Sequence, residues 1–153
     1  MEYEKIFNKV LNFLDYQPRT VKEIQDKVAK LTKVTEISQK VVEDLERMNL
    51  IDDFKYAVEY VESKANSSAP PGKRKMVAFL NKKGVNRELV ESAVDLYTPK
   101  KEEKGAEMAL QKRLRGSKGI NNFKEKQKMW KFLSGRGYSK DVINSVVDRN
   151  SNF

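Results

Sequence analysis

Any chemistry in this chain would have to rest on Asp, Glu, Lys, Ser or Tyr, and its most regular grouping is basic. Lys124, Lys128 and Lys131 fall at i, i+4 and i+7, so a helix would carry them as one basic stripe opposite Met129, Phe132 and Leu133. Lys75 and Lys82 form a similar pair earlier in the chain. Lys73, Arg74, Lys83, Lys112, Arg113, Arg115, Lys118 and Arg136 add charge near expected helix ends and turns. Phosphates attract such stripes, and counterion release makes the resulting binding strongly salt-dependent. The competing reading of each lysine is that it merely solvates an exposed helix face.

Other reactive groupings are scarce. The 153 residues include no His and no Cys. That excludes a Ser-His-Asp triad, a cysteine nucleophile, an imidazole or thiolate metal site and a disulfide framework. Asp52-Asp53 has no third ligand at a recognisable spacing and precedes a helix, so the pair reads as N-capping rather than metal binding. Gly116-Ser117-Lys118-Gly119 lacks the spacing and the preceding strand of a P-loop. It reads as a turn that presents Lys118. Trp130 lies three residues before Leu133 and reads as core-edge packing, with stacking on a base as the alternative. Tyr56, Tyr60 and Tyr97 read as core residues with the polar tip outward. The expectation is a protein that binds, not an enzyme, with no metal and no cofactor.

The net charge of +9 is unevenly spread. Residues 1–62 hold 10 basic and 13 acidic side chains, whereas residues 63–153 hold 21 and 9. The basic part is therefore the C-terminal three-fifths, and a polyanionic or acidic partner is expected for it. The N-terminus has neither the basic start nor the apolar run of a signal peptide, and no stretch approaches a membrane span. A cytoplasmic protein with no membrane partner is expected.

The elements that must position these charges are helices almost throughout. Ile6, Phe7, Val10, Leu11 and Leu14 recur at three- and four-residue steps, and Pro18 ends that run. Thr20-x-x-Glu23 is a capping box ahead of Val21, Ile24, Val28 and Leu31. A third helix carries Val41, Val42, Leu45 and Met48, and a fourth, about 54–64, turns Phe54, Ala57, Val58 and Val61 inward. Residues 66–72 form a loop. Further helices are expected at about 73–83, 87–97, 102–114, 123–134 and 140–149, with Pro99 breaking the chain. No run alternates with period two, so the predicted class is all-α.

Sliding the chain by 53 residues superposes Lys73–Asp95 on Lys126–Asp148. Lys75, Met76, Phe79, Leu80 and Gly84 meet Lys128, Met129, Phe132, Leu133 and Gly137. Each glycine stands where a helix end needs positive φ. Val85 or Tyr138 follows it, able to staple to Val90 or Ile143, and then comes a cap, Asn86 or Ser139. A shift of 48 puts Ile37-Ser38 on the same junction, with Glu36 in the glycine's place. The chain is thus expected to hold three tandem three-helix repeats, 1–52, 53–99 and 100–153.

Four stretches together resemble the RecX family, the bacterial regulators of the RecA recombinase. They are Phe13-Leu14 through Pro18-Arg19-Thr20-Val21-Lys22-Glu23-Ile24; Leu50-Ile51-Asp52-Asp53-Phe54-Lys55-Tyr56-Ala57 with Tyr60-Val61; Gly72-Lys73-Arg74-Lys75-Met76 through Phe79-Leu80-Asn81-Lys82-Lys83-Gly84-Val85; and Lys126-Gln127-Lys128-Met129 through Phe132-Leu133-Ser134-Gly135-Arg136-Gly137-Tyr138-Ser139 with Asp141-Val142-Ile143. The chain departs from the family pattern at Asn49-Leu50-Ile51, at Lys64 and in the Ser- and Pro-enriched loop 66–72. The resemblance implies an elongated, curved, helical monomer. It would bind the RecA filament on single-stranded DNA and inhibit or modulate recombinase and coprotease activity in DNA repair and the SOS response. It implies no catalytic residue and no cofactor.

The competing class is a helix-turn-helix or winged-helix DNA-binding transcriptional regulator, which Thr20–Ile51 resembles. A winged helix would require residues 53–62 to form a strand, whereas their apolar spacing is helical.

Overall fold

The three- and four-residue spacing of apolar side chains becomes helix along the whole chain. The computed structural model describes all 153 residues. It contains α1 (Glu2–Tyr16), α2 (Val21–Leu31), α3 (Thr35–Arg47), α4 (Asp53–Ala65), α5 (Lys73–Lys82), α6 (Arg87–Val94), α7 (Pro99–Leu114), α8 (Phe123–Gly135) and α9 (Lys140–Arg149). The protein is all-α, and its only β feature is an isolated bridge between Ile120 and Ser151. Residues 53–62 are helical, so the strand that a winged helix needs is absent. No helix is long and apolar enough to cross a membrane. The chain divides into two compact units, Met1–Ala57 with Leu80–Val90, and Val58–Phe79 with Glu91–Phe153.

In the first unit α1, α2 and α3 pack pairwise around Ile6, Val10, Ile24, Val28, Val41, Val42, Leu45 and Ile51. The capping box forms as expected. Thr20 Oγ1 accepts the Glu23 N–H at 3.2 Å, and Glu23 Oε1 accepts the Thr20 N–H at 3.1 Å. The acidic pair divides its work between two helices. Asp52 Oδ1 accepts the Lys55 N–H at 3.1 Å at the start of α4, while Asp53 Oδ1 accepts the Val21 N–H at 2.8 Å at the start of α2. Burial pushes the Asp53 carboxyl above its ordinary range.

Three expectations in this unit are corrected. Met48 and Phe54 are 51% and 42% exposed rather than inward. Met48 is the residue that ends α3 and Phe54 lies in the first turn of α4, so both sit outside the covered stretch of their helix. Ile37 and Ser38 lie inside α3 rather than at a junction. The α2–α3 turn is Thr32–Val34, where Thr32 leaves α2 in an extended conformation, φ −152°, and its hydroxyl accepts the Val34 N–H at 3.1 Å. An extended exit needs no residue of positive φ, so no glycine is required there.

The second unit holds α7, α8 and α9 packed on one another around Ala106, Leu110, Ile120, Met129, Leu133, Tyr138, Ile143, Val146 and neighbouring side chains. Pro99 stands at the expected break between α6 and α7 and itself starts α7 behind the Thr98 cap, earlier than the start expected at about 102. Its missing N–H is one of the donors that a first turn leaves unpaired anyway. Tyr97 is buried, and its hydroxyl turns inward to donate to Pro71 O at 2.9 Å rather than facing outward. The Tyr138 hydroxyl likewise donates to Pro70 O.

Both glycine junctions form with the same pattern. Gly84 and Gly137 have φ of 84° and 92°. The Val85 N–H donates to Leu80 O, and the Tyr138 N–H donates to Leu133 O, at 3.1 and 3.3 Å. Val85, Val90, Tyr138 and Ile143 are all buried, as a staple requires.

The repeat extends further than its local motif. A Cβ on Gly84 would lie 2.5 Å from Lys22 Cβ, and one on Gly137 would lie 2.7 Å from Lys75 Cγ. Lys22 to Lys75 and Gly84 to Gly137 are both steps of 53 residues. The carbonyl before each glycine is also engaged alike. Thr20 Oγ1 donates to Lys83 O at 2.7 Å in the first unit, and the Gly72 N–H donates to Arg136 O at 2.9 Å in the second. Each unit therefore contains one complete contact in which the start of a helix, α2 or α5, sits on a glycine turn. In the second unit the backbones come so close that a Cβ on Gly72 would strike Gly137 C and Tyr138 N.

Glu102, 2% exposed, ties the second unit together at two helix starts. Its Oε2 accepts the Lys73 N–H at 2.8 Å and the Ser139 N–H at 3.2 Å, and its Oε1 accepts the Ser139 hydroxyl at 2.6 Å. Ser139 stands at the N-cap of α9 as expected, but its side chain makes no cap bond because it is turned to Glu102. A buried carboxylate is tolerated where several donors and helix N-termini face it.

Candidate functional site

α8 carries the most regular part of the basic surface. Asn122 Oδ1 accepts the Glu125 N–H at 2.9 Å and fixes the helix start. Met129 and Leu133 are buried on one face, which turns Lys124, Lys128 and Lys131 to solvent on the other. None of these three lysines has an ion-pair partner. Lys126, off the stripe, pairs with Asp148 at 2.7 Å. Gly135 continues the stripe, and a Cβ there would meet nothing within 4 Å. The indole of Trp130 packs against the core edge and donates to Asn144 Oδ1 at 2.9 Å.

The ends of α7 and α8 bring a second group together. Lys112 Nζ donates to Ser68 O at 2.6 Å. The Arg113 and Arg136 guanidinium carbons stand 5.1 and 5.9 Å from the centroid of the Phe132 ring. Arg136 Nη2 also reaches Ala69 O at 3.4 Å. These side chains line a cleft of about 240 Å³ with Ser68, Ala69 and Ala109, and no carboxylate belongs to it. Arg115 ends α7, and Lys118 is exposed in the turn that follows, as expected of that turn.

Among the remaining candidates, the side chains of Arg74, Lys75 and Lys83 are committed within the structure. Arg74 Nη2 donates to Ser134 O at 2.7 Å and to Ser134 Oγ at 3.2 Å at the end of α8. The Lys73 N–H is held by Glu102, and the side chain of Lys75 covers Gly137. In the first unit, Lys83 Nζ pairs with Glu23 Oε2 at 3.2 Å, while Lys82 is exposed. Phe132 is the one member of the cleft that the sequence reading assigned to the core alone. Its four-residue spacing from Arg136 was a usable signal, but its approach to Arg113 is not local.

Comparison with known proteins places the fold. A family model described as RecX, third three-helix domain, matches residues 102–147. The regulatory protein RecX of Mycolicibacterium smegmatis is 30% identical, over 94% of this chain and 78% of that protein. The chain belongs to the RecX family. A second RecX relative, from Leuconostoc mesenteroides, is 32% identical over 95% of this chain, which spans only 54% of that protein. The crystal structure of RecX from Lactobacillus salivarius superposes with a TM-score of 0.84 at 28% identity, covering 97% of this chain and 96% of that one. The matched RecX domain contains Lys112, Arg113, Phe132 and Arg136 and the whole α8 stripe. RecX proteins are regulatory proteins by name.

Proposed function

We propose that this RecX-family chain binds the RecA filament on single-stranded DNA and inhibits or modulates the recombinase and coprotease activity of that filament, in the setting of DNA repair and the SOS response. It acts by binding and needs no cofactor. It works in the cytoplasm as a monomer built of three three-helix repeats, 1–52, 53–99 and 100–153.

The observation that carries this reading is the row Lys124, Lys128 and Lys131, exposed and without carboxylate partners, in the basic part of a chain of this family. Acids at i+3 or i+4 would pair with such lysines across a helix face. This face leaves them for an external anion. Lys82, Arg115 and Lys118, also exposed, extend the set of candidate contacts.

The test is to add the purified protein to RecA on single-stranded DNA and follow ATP turnover and strand exchange. Inhibition at near-stoichiometric ratios is expected. No effect at any ratio would overturn the reading. Reversing Lys124, Lys128 and Lys131 to Glu should remove the effect, and an unchanged effect would reduce the stripe to solvent decoration.

A further inference from the structure

The cleft beside Phe132 has features that packing alone does not require. Lys112, Arg113 and Arg136 converge on it, and the lining offers them no acid. Elsewhere in the same unit an exposed arginine finds a carboxylate: Arg149 pairs with Glu103 at 2.6 Å and with Glu107 at 3.7 Å. Arg113 has none and rests on the Phe132 ring. Arg136 Nε is buried and has no acceptor. An unmet buried donor is costly, and gathering like charges adds to that cost. An oxyanion seated in the cleft would offset the gathered charge.

The geometry also says which kind of anion. Two guanidinium groups with their central carbons 5.1 and 5.9 Å from one ring centroid bring two planar forks of N–H donors to one place, and such forks suit phosphate oxygens better than a single lysine does. The apolar floor of Phe132, Ala109 and Ala69 lowers the local dielectric and strengthens the ionic contact. At about 240 Å³ the space falls below the roughly 300–1,000 Å³ of pockets that engulf drug-sized molecules. It suits a phosphate group and the atoms next to it rather than a whole nucleotide.

We infer that this cleft is a phosphate-binding subsite. Arg113 and Arg136 grip the oxyanion, and Lys112 adds charge from the rim. Phe132 keeps the two guanidinium groups in place. That the phosphate is a phosphodiester of single-stranded DNA rests on the proposed function; that the cleft takes a phosphate does not.

The experiment uses the full chain in three forms: unchanged, Arg113→Gln, and Lys124, Lys128 and Lys131 all replaced by Ala. Arg113→Lys is the conservative control, since it keeps the charge and loses the fork. Arg113 is exposed, so the fold should survive, and circular dichroism checks this. The probes are labelled oligothymidylate, inorganic phosphate and an acidic peptide. Readouts are anisotropy across a salt series and the NMR signals of the arginine Nε–H groups. For Arg113→Gln, oligothymidylate binding should weaken by about tenfold, with partial recovery in Arg113→Lys. The Arg113 and Arg136 Nε–H signals should shift with the oligonucleotide.

If the lysine variant loses binding while Arg113→Gln matches the unchanged chain, the subsite is overturned and the filament reading stands. If the protein fails to bind oligothymidylate but inorganic phosphate shifts both arginine signals, the subsite stands with free phosphate as its source, and its assignment to a DNA phosphodiester fails, while the filament reading is decided separately by the RecA assay. Signals that move only with the acidic peptide overturn the subsite.

Discussion

The side chain of Lys75 lies across Gly137, where a Cβ would meet Lys75 Cγ at 2.7 Å and Lys75 N at 2.8 Å. Positive φ and this contact act on the same residue, so Gly137→Ala should lose stability twice over. The left-handed conformation alone costs a residue with a Cβ about 1–2 kcal/mol. Gly84→Ala should behave alike against Lys22. Gly135→Ala is the counter-case: it is helical, has no positive φ and has open space around it. It should gain up to about 1 kcal/mol. Urea unfolding of the three variants checks the order, and a Gly137→Ala protein as stable as Gly135→Ala would contradict it.

Glu102→Ala should be among the most damaging single changes in the second unit. It leaves the Lys73 N–H, the Ser139 N–H and the Ser139 hydroxyl without their acceptor inside a buried site. An abandoned buried donor costs roughly 1–3 kcal/mol each. Ser139→Ala removes one donor and should cost about 1 kcal/mol. The larger loss in Glu102→Ala, read by chemical denaturation, is the expected result.

Tyr3 and Asp44 couple the first unit to pH at both extremes. Burial pushes the Tyr3 hydroxyl up from 10.0 to about 12, and the hydrogen bond it donates to Asp44 adds to the rise. A raised pKa gives stability that is complete below pH 10 and is lost as pH climbs from 10 toward 12. The same hydrogen bond holds the Asp44 carboxyl below its ordinary 3.8, with Arg47 and Lys40 assisting. That contribution is present above pH 3.8 and is lost as pH falls below it. Asp53, raised by burial, runs the other way in acid and disfavours the fold as pH rises from 3.8 through its raised value. The difference in urea midpoint between the unchanged chain and Tyr3→Phe isolates the first pair. It should be flat near neutrality and shrink at both ends.

Replacing Lys124, Lys128 and Lys131 by Ala should change salt dependence more than fold. If each lysine meets one phosphate of a single strand, the slope of log K against log salt falls by about 0.7 per lysine removed. Melting temperature should barely move, since none of the three is paired. Arg74→Ala is expected to do the reverse, weakening the end of α8, because its guanidinium serves the Ser134 carbonyl.

Features that depend on neighbours in sequence were legible before the structure. The Thr20–Glu23 box, the glycine junctions and the α8 stripe all follow from spacings of eight residues or fewer, so helix geometry alone settles which side chains share a face. Features that depend on distant partners were not. Ser139 looks like a helix cap until Glu102, 37 residues away, takes its hydroxyl. Asp53 looks like a cap for its own helix until Val21, 32 residues away, claims it. Within the candidate surface the same line separates the row on α8 from the cleft. Arg136 and Phe132 are one helical turn apart, but Arg113 comes from another helix. Net charge could not distinguish Arg74 and Lys83, held by Ser134 and Glu23, from lysines with no partner.

Lys22, Lys75 and Lys128 stand at successive steps of 53 residues. The first two are committed to glycine turns, while Lys128 is exposed with no partner. One residue type at equivalent positions therefore has two occupations. Two copies act as mortar between a helix start and a glycine turn, and the third is left exposed to solvent. A glycine turn against the side chain, rather than charge or place in the repeat, separates the two committed copies from the exposed one.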